Sequence, residues 1–371
     1  MAIQFCKKCV MPNTRPGIVF NNEGVCSACV NYEKKQNIDW DKRWRELEEL
    51  CNKYRGCNGS SYDCAVAVSG GKDSHYQVYA MKELLGMNPL LLAVDNDTWT
   101  ETGRKNKENI SEAFGCDVIS FSANRKVSRE MMKKALAELG SPTWFADAAI
   151  YAYPVRMAIK FGLKLLVYGE NVNYEYGGFQ REETYSAKRQ RENDVVKPLD
   201  LSRWLDENIS EKDLFGVIQP TYDETEAAGL EPIYLSYFVN WDSHHNYEVA
   251  KRYGFRHMEH EWQREGTIEQ YNQIDSPAYL INQWFKYPKF GHASVTEMAS
   301  RWIRAGLMSR EEAIPLVKAR DHKLDQNILD SFLDFTRMTA REFWSIADKW
   351  YNRDLFYQER DGIWKPKFQV D

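Results

Sequence analysis

A short loop motif rich in small residues most constrains the fold of this chain: residues 69–74 are Ser-Gly-Gly-Lys-Asp-Ser. An apolar run at residues 63–68 precedes the motif and a helical pattern at residues 74–86 follows it, so the motif lies where a buried parallel strand turns into a helix. Its two glycines permit positive φ and let a ligand approach the backbone closely. The start of the helix adds unpaired N–H groups and the positive end of the helix dipole. The pattern predicts an anion-binding loop that suits the phosphates of a nucleotide.

Asp73 distinguishes this loop from the Walker loop, in which Ser or Thr follows the lysine. A carboxylate beside phosphates repels them unless a cation lies between, and Mg²⁺ is usually held by one or two carboxylates together with substrate phosphates. Asp73 is therefore the predicted magnesium ligand, and Lys72 supplies a positive charge. The alternative is an ordinary turn capped by Ser74, with Lys72 and Asp73 in solvent. The strand before the loop and the helix after it favour the nucleotide site.

Two Cys-x-x-Cys pairs near the N-terminus predict a metal site. Cys6 and Cys9 form the first pair, Cys26 and Cys29 form the second, and 16 residues separate the pairs. This spacing is typical of a four-thiolate zinc site. The segment between the pairs is rich in turn-forming residues and poor in apolar ones, so it needs a metal to fold. Because four protein thiolates leave no position open for water, the predicted zinc is structural. Free thiols are the alternative.

The bulk composition excludes several classes of protein. The chain has 371 residues, enough for two or three domains, and its 43% hydrophobic and 28% charged residues are ordinary for a globular protein. The net charge of -5 disfavours a nucleic-acid partner. No apolar run reaches the length of a membrane span, and the N-terminus lacks the apolar region of a signal peptide. We therefore expect a cytoplasmic protein without a membrane partner, whose other cysteines are free thiols.

Alternating strand and helix patterns predict the fold of the central region. The apolar strands are short and nearly continuous, as expected for strands buried on both faces, so the fold class is α/β with a doubly wound parallel sheet. The predicted strands are residues 63–68, 90–94, 118–121 and 163–168, and the predicted helices between them are 74–86, 101–115, 125–139 and 145–162. A further strand or strand-like turn is predicted within residues 231–245.

Polar residues follow two of the predicted strands, at the edge where ligands bind in sheets of this kind. Asp95 ends the second strand, where it could contact a ribose or an adenine or could simply form a turn. Residues 169–171, Gly-Glu-Asn, end the fourth strand and face the same crevice as Asp73. The polar and aromatic segment at residues 173–183 is interpreted as a mobile substrate loop. His244 and His245 are given no role, since adjacent histidines seldom face one site.

The rest of the chain is predicted to be helical. An amphipathic helix at residues 38–55 joins the cysteine pairs to the sheet, and from about residue 246 helices are predicted at 295–305, 309–319, 325–335 and 339–351. Ser309 and Glu312 open one of these with a capping-box pattern. The predicted organisation is a zinc-binding module at residues 1–37, a linker helix at 38–60, a nucleotide-binding domain at 61–245 and a helical C-terminal region at 246–371 for substrate or partner contacts.

The loop motif resembles the signature of the PP-loop ATP pyrophosphatase superfamily. The resemblance implies a domain similar to the adenine nucleotide alpha hydrolases, with ATP as the nucleotide, and a reaction in which a substrate oxygen attacks the α-phosphate and pyrophosphate leaves. It implies catalytic roles for Lys72, Asp73 and Glu170. The implied nucleotide contacts are Ser69, Gly70, Gly71, Lys72, Asp73, Ser74, Asp95, Gly169 and Asn171.

A narrower resemblance comes from the order of several motifs along nearly the whole chain. Cys-Lys-Lys-Cys-Val-Met-Pro at residues 6–12 with Arg15, the second cysteine pair and the loop together are similar to the N-acetyl sugar amidotransferase family. Further matches are residues 169–171, 234–238, 241–242, 265–267 and 289–292. Enzymes of this family make acetamidino sugars for lipopolysaccharide O-antigens or for flagellar nonulosonic acids such as pseudaminic and legionaminic acid.

The narrower resemblance implies a specific chemistry. The acetamido oxygen of an N-acetyl sugar would be adenylated by ATP with Mg²⁺, and ammonia would then displace AMP. The chain shows no glutaminase motif, so a separate class I glutaminase subunit is the predicted source of ammonia. UDP-linked diacetamido uronic acids and free or CMP-linked nonulosonic acids remain open as substrates. Lys286, Lys289 and His292 are predicted to bind a sugar carboxylate or a nucleotide diphosphate, and a solvated turn is the alternative reading of that segment.

Two other functions remain as alternatives. A PP-loop enzyme that modifies tRNA, in particular a thiolase, also carries N-terminal zinc knuckles in some cases. Such enzymes typically need cysteines in the ATP domain, where this chain has only Cys64 and Cys116. The acidic balance also disfavours tRNA. The other alternative is a nucleotide-sensing module without catalysis.

Overall fold

The computed structural model describes residues 3–59, 61–178, 183–193, 195–196, 200–258 and 261–371. Its helices are α1 Ser27–Lys35, α2 Trp40–Tyr54, α3 Lys72–Val78, α4 Glu101–Phe114, α5 Arg125–Leu139, α6 Trp144–Lys160, α7 Val172–Tyr176, α8 Tyr222–Ala227, α9 Ser243–Arg252, α10 Pro277–Phe290, α11 Ser294–Arg304, α12 Arg310–Arg320, α13 Gln326–Thr336 and α14 Ala340–Trp350. Its strands are β1 Cys64–Val68, β2 Pro89–Val94, β3 Val118–Phe121, β4 Leu165–Tyr168, β5 Glu231–Tyr234, β6 Phe356–Gln358 and β7 Trp364–Pro366.

The first five strands form one parallel sheet in the order β3-β2-β1-β4-β5. Every residue of β1, β2 and β4 is buried, which matches their continuous apolar sequences. Helices α5 and α6 contribute apolar side chains on one face of the sheet, and α2, α3, α4 and α9 contribute apolar side chains on the other. The predicted α/β fold with a doubly wound parallel sheet is confirmed.

The strand order reverses its direction between β1 and β4, and this position determines where a ligand can bind. Strands β1 and β4 are neighbours, yet the chain leaves β1 toward β2 and leaves β4 toward β5, on opposite sides. Such a switch point opens a crevice beyond the carboxyl ends of the two strands. Residues 69–74 follow β1 and residues 169–171 follow β4, so both predicted segments border this crevice.

The helix after the loop differs from the single helix predicted at residues 74–86. The α-helix α3 begins two residues earlier, at Lys72, and gives way to a π-helical segment at Tyr79–Leu84. Lys72 and Asp73 therefore form the first turn of the helix instead of preceding it. The patterning of apolar residues cannot reveal this start, because both residues are polar.

The predicted C-terminal helices appear as α11 to α14, each within a residue or two of its expected ends. Ser309 and Glu312 form the predicted capping box, and Thr339 and Glu342 form a second one at α14. The sequence interpretation missed the antiparallel hairpin of β6 and β7. Each of these strands has only three residues, too few to show an alternating pattern.

The cysteine-containing N-terminus packs against the C-terminal helices. Phe5 and Val10 share an apolar cluster with Val295 of α11 and Val317 of α12, and Ile303 packs on the cluster that contains the four cysteines. Helix α1 also contacts α7, which follows β4. The N-terminus therefore closes one side of the crevice region. Among the described residues, no helix combines the length and apolarity that a membrane span requires.

Candidate functional site

The loop at residues 69–74, here called the nucleotide loop, is held closed by its own serines. The backbone N–H of Ser69 donates to Ser74 Oγ at 2.8 Å, and the N–H of Gly71 donates to Ser69 Oγ at 3.2 Å. Gly70 has a φ of +90°, and a Cβ there would lie 2.7 Å from the Cα of Lys107 in α4. Only glycine suits this position, because the φ is unfavourable for other residues and α4 leaves no room for a side chain.

A buried histidine fixes the end of the nucleotide loop. His75 is fully buried; its Nδ1 lies 3.0 Å from the carbonyl oxygen of Gly71, and its Nε2 lies 3.1 Å from the side-chain nitrogen of Asn109. Burial lowers the pKa of His75 to about 4, so the ring is neutral near pH 7. In that state Nδ1–H donates to Gly71 and Nε2 accepts from Asn109. The histidine thus positions the backbone of the loop.

Lys72 and Asp73 form an ion pair in the first turn of α3. The lysine is buried, whereas about a third of the Asp73 side chain is exposed. Asn246 of α9 donates to Asp73 Oδ1 at 2.8 Å, which fixes the carboxylate on its second side. One carboxylate of defined orientation, with a cation beside it, therefore faces the crevice at the mouth of the loop.

Two further carboxylates, Glu170 and Asp275, lie close to Asp73. Burial and the charge of Asp73 raise the pKa of Glu170. Burial also raises the pKa of Asp275 to about 7, against the attraction of Lys72 and with a contribution from Asp73. The carboxylate oxygens of Asp275 lie 3.9 Å from the position that a Cβ on Gly71 would occupy, so Asp275 lies against the loop. The three acids thus influence one another electrostatically beside Lys72, although their oxygens do not converge on one point as the four cysteine sulfurs do. Carboxylates at the mouth of such a loop could each offer an oxygen ligand to a hard cation such as Mg²⁺.

The other predicted nucleotide contacts differ in their surroundings. Asp95 lies at the end of β2, where it pairs with Lys107 of α4 and accepts from Ser122. Gly169 is needed for space, since a Cβ there would lie 2.9 Å from Gln77 and 3.0 Å from Trp241. Asn171 is buried, and its side-chain oxygen caps α7. Asp95 is thus held at the end of β2 by Lys107 and Ser122, whereas Gly169 and Asn171 shape the backbone behind the crevice.

The three predicted substrate residues lie on α10 or just after it, and two of them, Lys286 and Lys289, already have partners within the fold. Lys286 forms an ion pair with Glu297 at 2.8 Å. Lys289 donates to the carbonyl of Gly140 at 2.8 Å, and burial lowers its pKa to about 8. His292 is buried with no hydrogen-bond partner on either ring nitrogen among the described residues, and burial lowers its pKa to about 3. This arrangement favours a structural role for Lys289 in particular.

The predicted substrate loop at residues 173–183 lies partly outside the described residues, which omit 179–182. Its first part forms α7 and packs on α1, where Asn31 donates to the carbonyl of Tyr174 at 2.9 Å and Ser27 donates to that of Gly177 at 3.2 Å. This part of the segment is therefore tied to the cysteine-containing module.

Cys6, Cys9, Cys26 and Cys29 converge on one buried point. Their sulfur atoms all lie within 4.8 Å of one another. Two of the separations are 3.7 Å, between Cys9 and Cys26, and 4.0 Å, between Cys6 and Cys29. A zinc ion with Zn–S bonds of about 2.3 Å requires sulfur atoms about 3.8 Å apart at the corners of a tetrahedron. The four-cysteine cluster therefore fits a tetrahedral metal ion.

Backbone groups support this cluster in the manner expected around a metal. The N–H groups of Lys8 and Cys26 point at Cys6 Sγ at 3.4 and 3.3 Å, and that of Met11 points at Cys9 Sγ at 3.5 Å. Hydrogen bonds from Cys26 and Cys29 hold the pKa of Cys6 below the usual thiol range. Arg310 of α12 donates to the carbonyls of Cys6 and Cys9 at 3.2 and 3.1 Å, which ties the first cysteine pair to the C-terminal helices.

The sequence interpretation missed Asp275, Asn246 and Arg301. Asp275 precedes Ser276 and Pro277, which predict the start of a helix but indicate no function for the acid before them. Asn246 lies on a helix face that reaches Asp73 only through the packing of α9 on α3. Arg301 and Arg304 share one face of α11, and this pair of cations three residues apart was the one signal available.

Comparisons with known proteins identify a described family that is similar to the C-terminal part of the chain. Residues 265–369 match the family model described as LPS biosynthesis protein WbpG-like, C-terminal domain. An uncharacterized protein of Methanocaldococcus jannaschii is 25% identical over 176 residues, which are 47% of this chain and 62% of that relative. This chain thus spans less than two thirds of the length of that relative.

Among solved structures, the NMN synthetase from Francisella tularensis aligns with a TM-score of 0.34 and 10% identity, over 82% of this chain and 96% of that one. The match to the family model is the most specific of these findings, since it covers a segment in which the narrower sequence resemblance already had two motifs. Residues 265–369 are therefore similar to the C-terminal domain of WbpG-like lipopolysaccharide biosynthesis proteins.

Proposed function

We propose that the protein is an ATP-dependent amidotransferase that converts the acetamido group of an N-acetyl sugar into an acetamidino group for lipopolysaccharide O-antigen or flagellar nonulosonic acid biosynthesis. One observation carries the proposal: the nucleotide loop lies at the switch point of the sheet, with Asp73, Glu170 and Asp275 grouped around Lys72. The WbpG-like C-terminal domain supports the sugar as the molecule that is activated.

The proposed reaction has two steps. The acetamido oxygen attacks the α-phosphorus of ATP, an O–P bond forms, and pyrophosphate leaves with the oxygen that had bridged the α- and β-phosphates. Ammonia then adds to the activated carbon, and AMP departs with the former acetamido oxygen, which leaves an acetamidine after loss of a proton. Amides react poorly with ammonia, so the first step supplies the leaving group that the second step needs.

The residues of the loop suit the first step. The backbone of the loop and the hydroxyls of Ser69 and Ser74 would hold the pyrophosphate, and Lys72 would offset its growing charge. Asp73, Glu170 and Asp275 would hold Mg²⁺, which when bound neutralises phosphate charge. Catalysis of this kind depends mainly on positioning and electrostatics. The four-cysteine cluster would hold a structural zinc ion apart from this chemistry.

The cysteines of the nucleotide domain do not favour the thiolase alternative. Burial raises the pKa of the Cys64 thiol well above its usual range, and it raises the pKa of Cys116 as well. Both side chains are buried, Cys64 completely. A nucleophilic thiol needs access and a lowered pKa, so neither residue suits a sulfur-transfer step.

The source of ammonia is part of the proposal. Residues 265–369 and the nucleotide domain contain no glutaminase motif in sequence, so we infer a separate class I glutaminase subunit. The test compares glutamine with ammonium chloride as the nitrogen donor for the purified chain. Turnover with ammonium alone is the expected result, and efficient use of glutamine without a second protein would contradict the inference.

The reaction itself is tested by mass spectrometry. The protein is incubated with ATP, Mg²⁺, ammonium chloride and N-acetyl sugar acids, and the products are analysed for AMP, pyrophosphate and a sugar one mass unit lighter, as replacement of O by NH requires. Lys72→Ala is the matched inactive control. ATP consumption that yields ADP, or no change in any sugar tested, would contradict the proposed function.

A further inference from the structure

A pocket between the N-terminal module and helix α11 has the chemistry of a sugar site. It is lined by α1, α7, the start of α9 and α11, and we call it the α7–α11 pocket. Its wall includes five aromatic residues: Tyr32, Tyr174, Tyr176, Trp241 and Trp302. Aromatic rings offer an apolar surface to the C–H face of a sugar, and their polar tips can also hydrogen-bond. The cysteine-containing module supplies part of this wall through α1.

Polar groups without partners concentrate at this pocket. Five buried side-chain atoms of lining residues have no hydrogen-bond partner among the described residues: Tyr174 Oη, Glu175 Oε1, Ser243 Oγ, His244 Nδ1 and Arg304 Nη1. A buried polar atom left unpaired costs free energy, so native proteins contain few of them and seldom group them. Their convergence on one cavity indicates a ligand rich in hydroxyl and amide groups.

The charges of the pocket favour an anionic ligand. Lys35 and Glu175 neutralise each other in a buried ion pair, and Asp242 caps α9. Arg301 and Arg304 of α11 remain: no carboxylate of the described residues lies within ion-pairing distance of either guanidinium. Glu297, Glu170 and Asp73 act on Arg301 from a distance, and the cysteine cluster acts on Arg304, so both half-buried guanidinium groups keep their donors free of a direct ion pair among the described residues. The planar donors of a guanidinium match a carboxylate in two-point geometry.

Arg301 also connects the pocket to the nucleotide loop. Its guanidinium stacks on the ring of Tyr176, with 4.2 Å between the carbon and the ring centroid. The hydroxyl of Tyr176 donates to Glu170 at 3.2 Å, and Arg301 lies close enough to Asp73 and Glu170 for their charges to raise its pKa against the effect of burial. A ligand held by Arg301 would therefore end near the proposed position of the α-phosphate.

We propose that the α7–α11 pocket binds the sugar, that its carboxylate is held by Arg301 and Arg304, and that Tyr174 and His244 contact its polar groups. The proposal rests on the proposed function for the identity of the ligand as a carboxylated N-acetyl sugar. It moves the substrate site away from Lys286 and Lys289, whose ammonium groups already have partners within the fold. It also gives the N-terminal module a direct part in substrate binding.

The experiment is a calorimetric titration with and without the non-hydrolysable analogue α,β-methylene-ATP. The probes are UDP-N-acetylglucosaminuronic acid and N-acetylneuraminic acid, each paired with a carboxylate-free partner, UDP-N-acetylglucosamine and the methyl ester of N-acetylneuraminic acid. The first pair represents a nucleotide-linked uronic acid and the second a free nonulosonic acid. We expect at least one acid to bind about ten- to a hundredfold more tightly than its carboxylate-free partner.

Variants locate the binding in the pocket. Arg301→Met should abolish the preference for the acid, and Arg301→Lys should restore only part of it. Tyr174→Phe should weaken binding while leaving the thermal stability of the free protein equal or higher, because the removed hydroxyl has no partner there. Ser300→Ala is the matched control: Ser300 is a buried α11 residue with an unpaired hydroxyl that does not line the pocket, so its removal should leave affinity unchanged.

The outcomes separate this inference from the proposed function. Equal binding of acids and carboxylate-free sugars, a preference that survives in Arg301→Met, or no binding of any probe would overturn the pocket assignment, even if AMP and pyrophosphate still form with another substrate. Binding that depends on Arg301 without release of pyrophosphate would support the pocket and contradict the proposed reaction instead.

Discussion

The four-cysteine cluster and the nucleotide crevice are both built from short motifs, yet they differ in how fully their groups are used. In the cluster, four sulfurs face one another and the neighbouring backbone N–H groups point at them. In the crevice, three acids crowd one lysine, and the adjoining pocket holds unpaired polar atoms. Donor atoms that all converge on one another stabilise the fold, whereas polar atoms that lack partners within the protein are available to bind a ligand.

The largest effect on stability should come from removing one ligand of the four-cysteine cluster. Cys6→Ser removes one ligand of the proposed zinc ion, and structural zinc sites contribute about 10–16 kcal/mol of binding free energy to folding. We expect loss of bound zinc and loss of the ordered N-terminal module, measured by metal analysis and by thermal unfolding. Cys57→Ser is the control, since Cys57 is exposed and remote from the cluster. Full zinc content in Cys6→Ser would remove Cys6 from the ligand set.

Substitution of Asp73 in the crevice should lower activity much more than stability. Asp73→Asn keeps the size of the side chain but removes the charge at the mouth of the loop, so pyrophosphate release should fall by about a hundredfold or more. The melting temperature should change little, because relief of the repulsion with Glu170 is offset by loss of the ion pair with the buried Lys72. Steady-state kinetics and calorimetry measure the two effects. Asp334→Asn, at an exposed position of α13, should change neither.

Asp275, the buried acid of the crevice, should make the unfolding free energy of the protein depend on pH. Its pKa is raised to about 7 from 3.8 in the folded protein, so the folded state binds more protons than the unfolded state between these values. The unfolding free energy of the wild type should therefore fall as pH rises through this window, by roughly 4 kcal/mol at 1.36 kcal/mol per pKa unit. The unfolding free energy of Asp275→Asn should not show this fall, because asparagine does not ionise.

The measurement is urea denaturation of both proteins between pH 5 and 8 without divalent cations. The stability gap between Asp275→Asn and the wild type should widen up to about pH 7 and stay constant above it. Added Mg²⁺ should narrow the gap at pH 8, because a bound cation favours the ionised carboxylate. A gap that is independent of pH would show that Asp275 does not titrate in this range.

The smallest effect is expected at Lys289. Lys289→Met should change the unfolding free energy by only about 1 kcal/mol, because two effects oppose each other. Loss of the hydrogen bond to the carbonyl of Gly140 destabilises the protein, whereas removal of a desolvated charge stabilises it. The KM for the sugar should stay unchanged, in contrast to Arg301→Met. Urea denaturation and initial-rate kinetics test both statements. A raised KM for the sugar in Lys289→Met would instead support the prediction that Lys289 binds the substrate.

Much of the fold was predictable because its signals are local. The strands of the sheet are short, continuous apolar runs, and the C-terminal helices show apolar periodicity together with caps such as Ser309 with Glu312. The cysteine pairs and the nucleotide loop have fixed spacing, which sequence displays directly. The β6–β7 hairpin and the π-helical segment after α3 were missed, because three-residue strands and a local change of helical pitch leave no periodic pattern.

The candidate site was predictable only in the part that one segment carries. The loop contributes Lys72 and Asp73, and the end of β4 contributes Glu170, all of which the motif and the order of strands nominate. Asp275 and Arg301 reach the crevice through the packing of the C-terminal region on the sheet domain, and they lie more than 100 residues from the nearest of these motif residues. The local sequence marks Asp275 only as a residue before a helix start, and it marks Arg301 only by the second cation, Arg304, three residues later.

The sequence by itself determined the parallel α/β sheet, the four cysteines that converge and the loop that suits phosphates, because spacing and periodicity impose these features on any chain that folds. Tertiary structure alone decided which acids surround Lys72, that Lys289 is used inside the fold and that Arg301 is left without a carboxylate partner among the described residues. The physical reason is that charge pairing depends on distances between remote segments. Burial then sets how strongly each unpaired group favours a ligand.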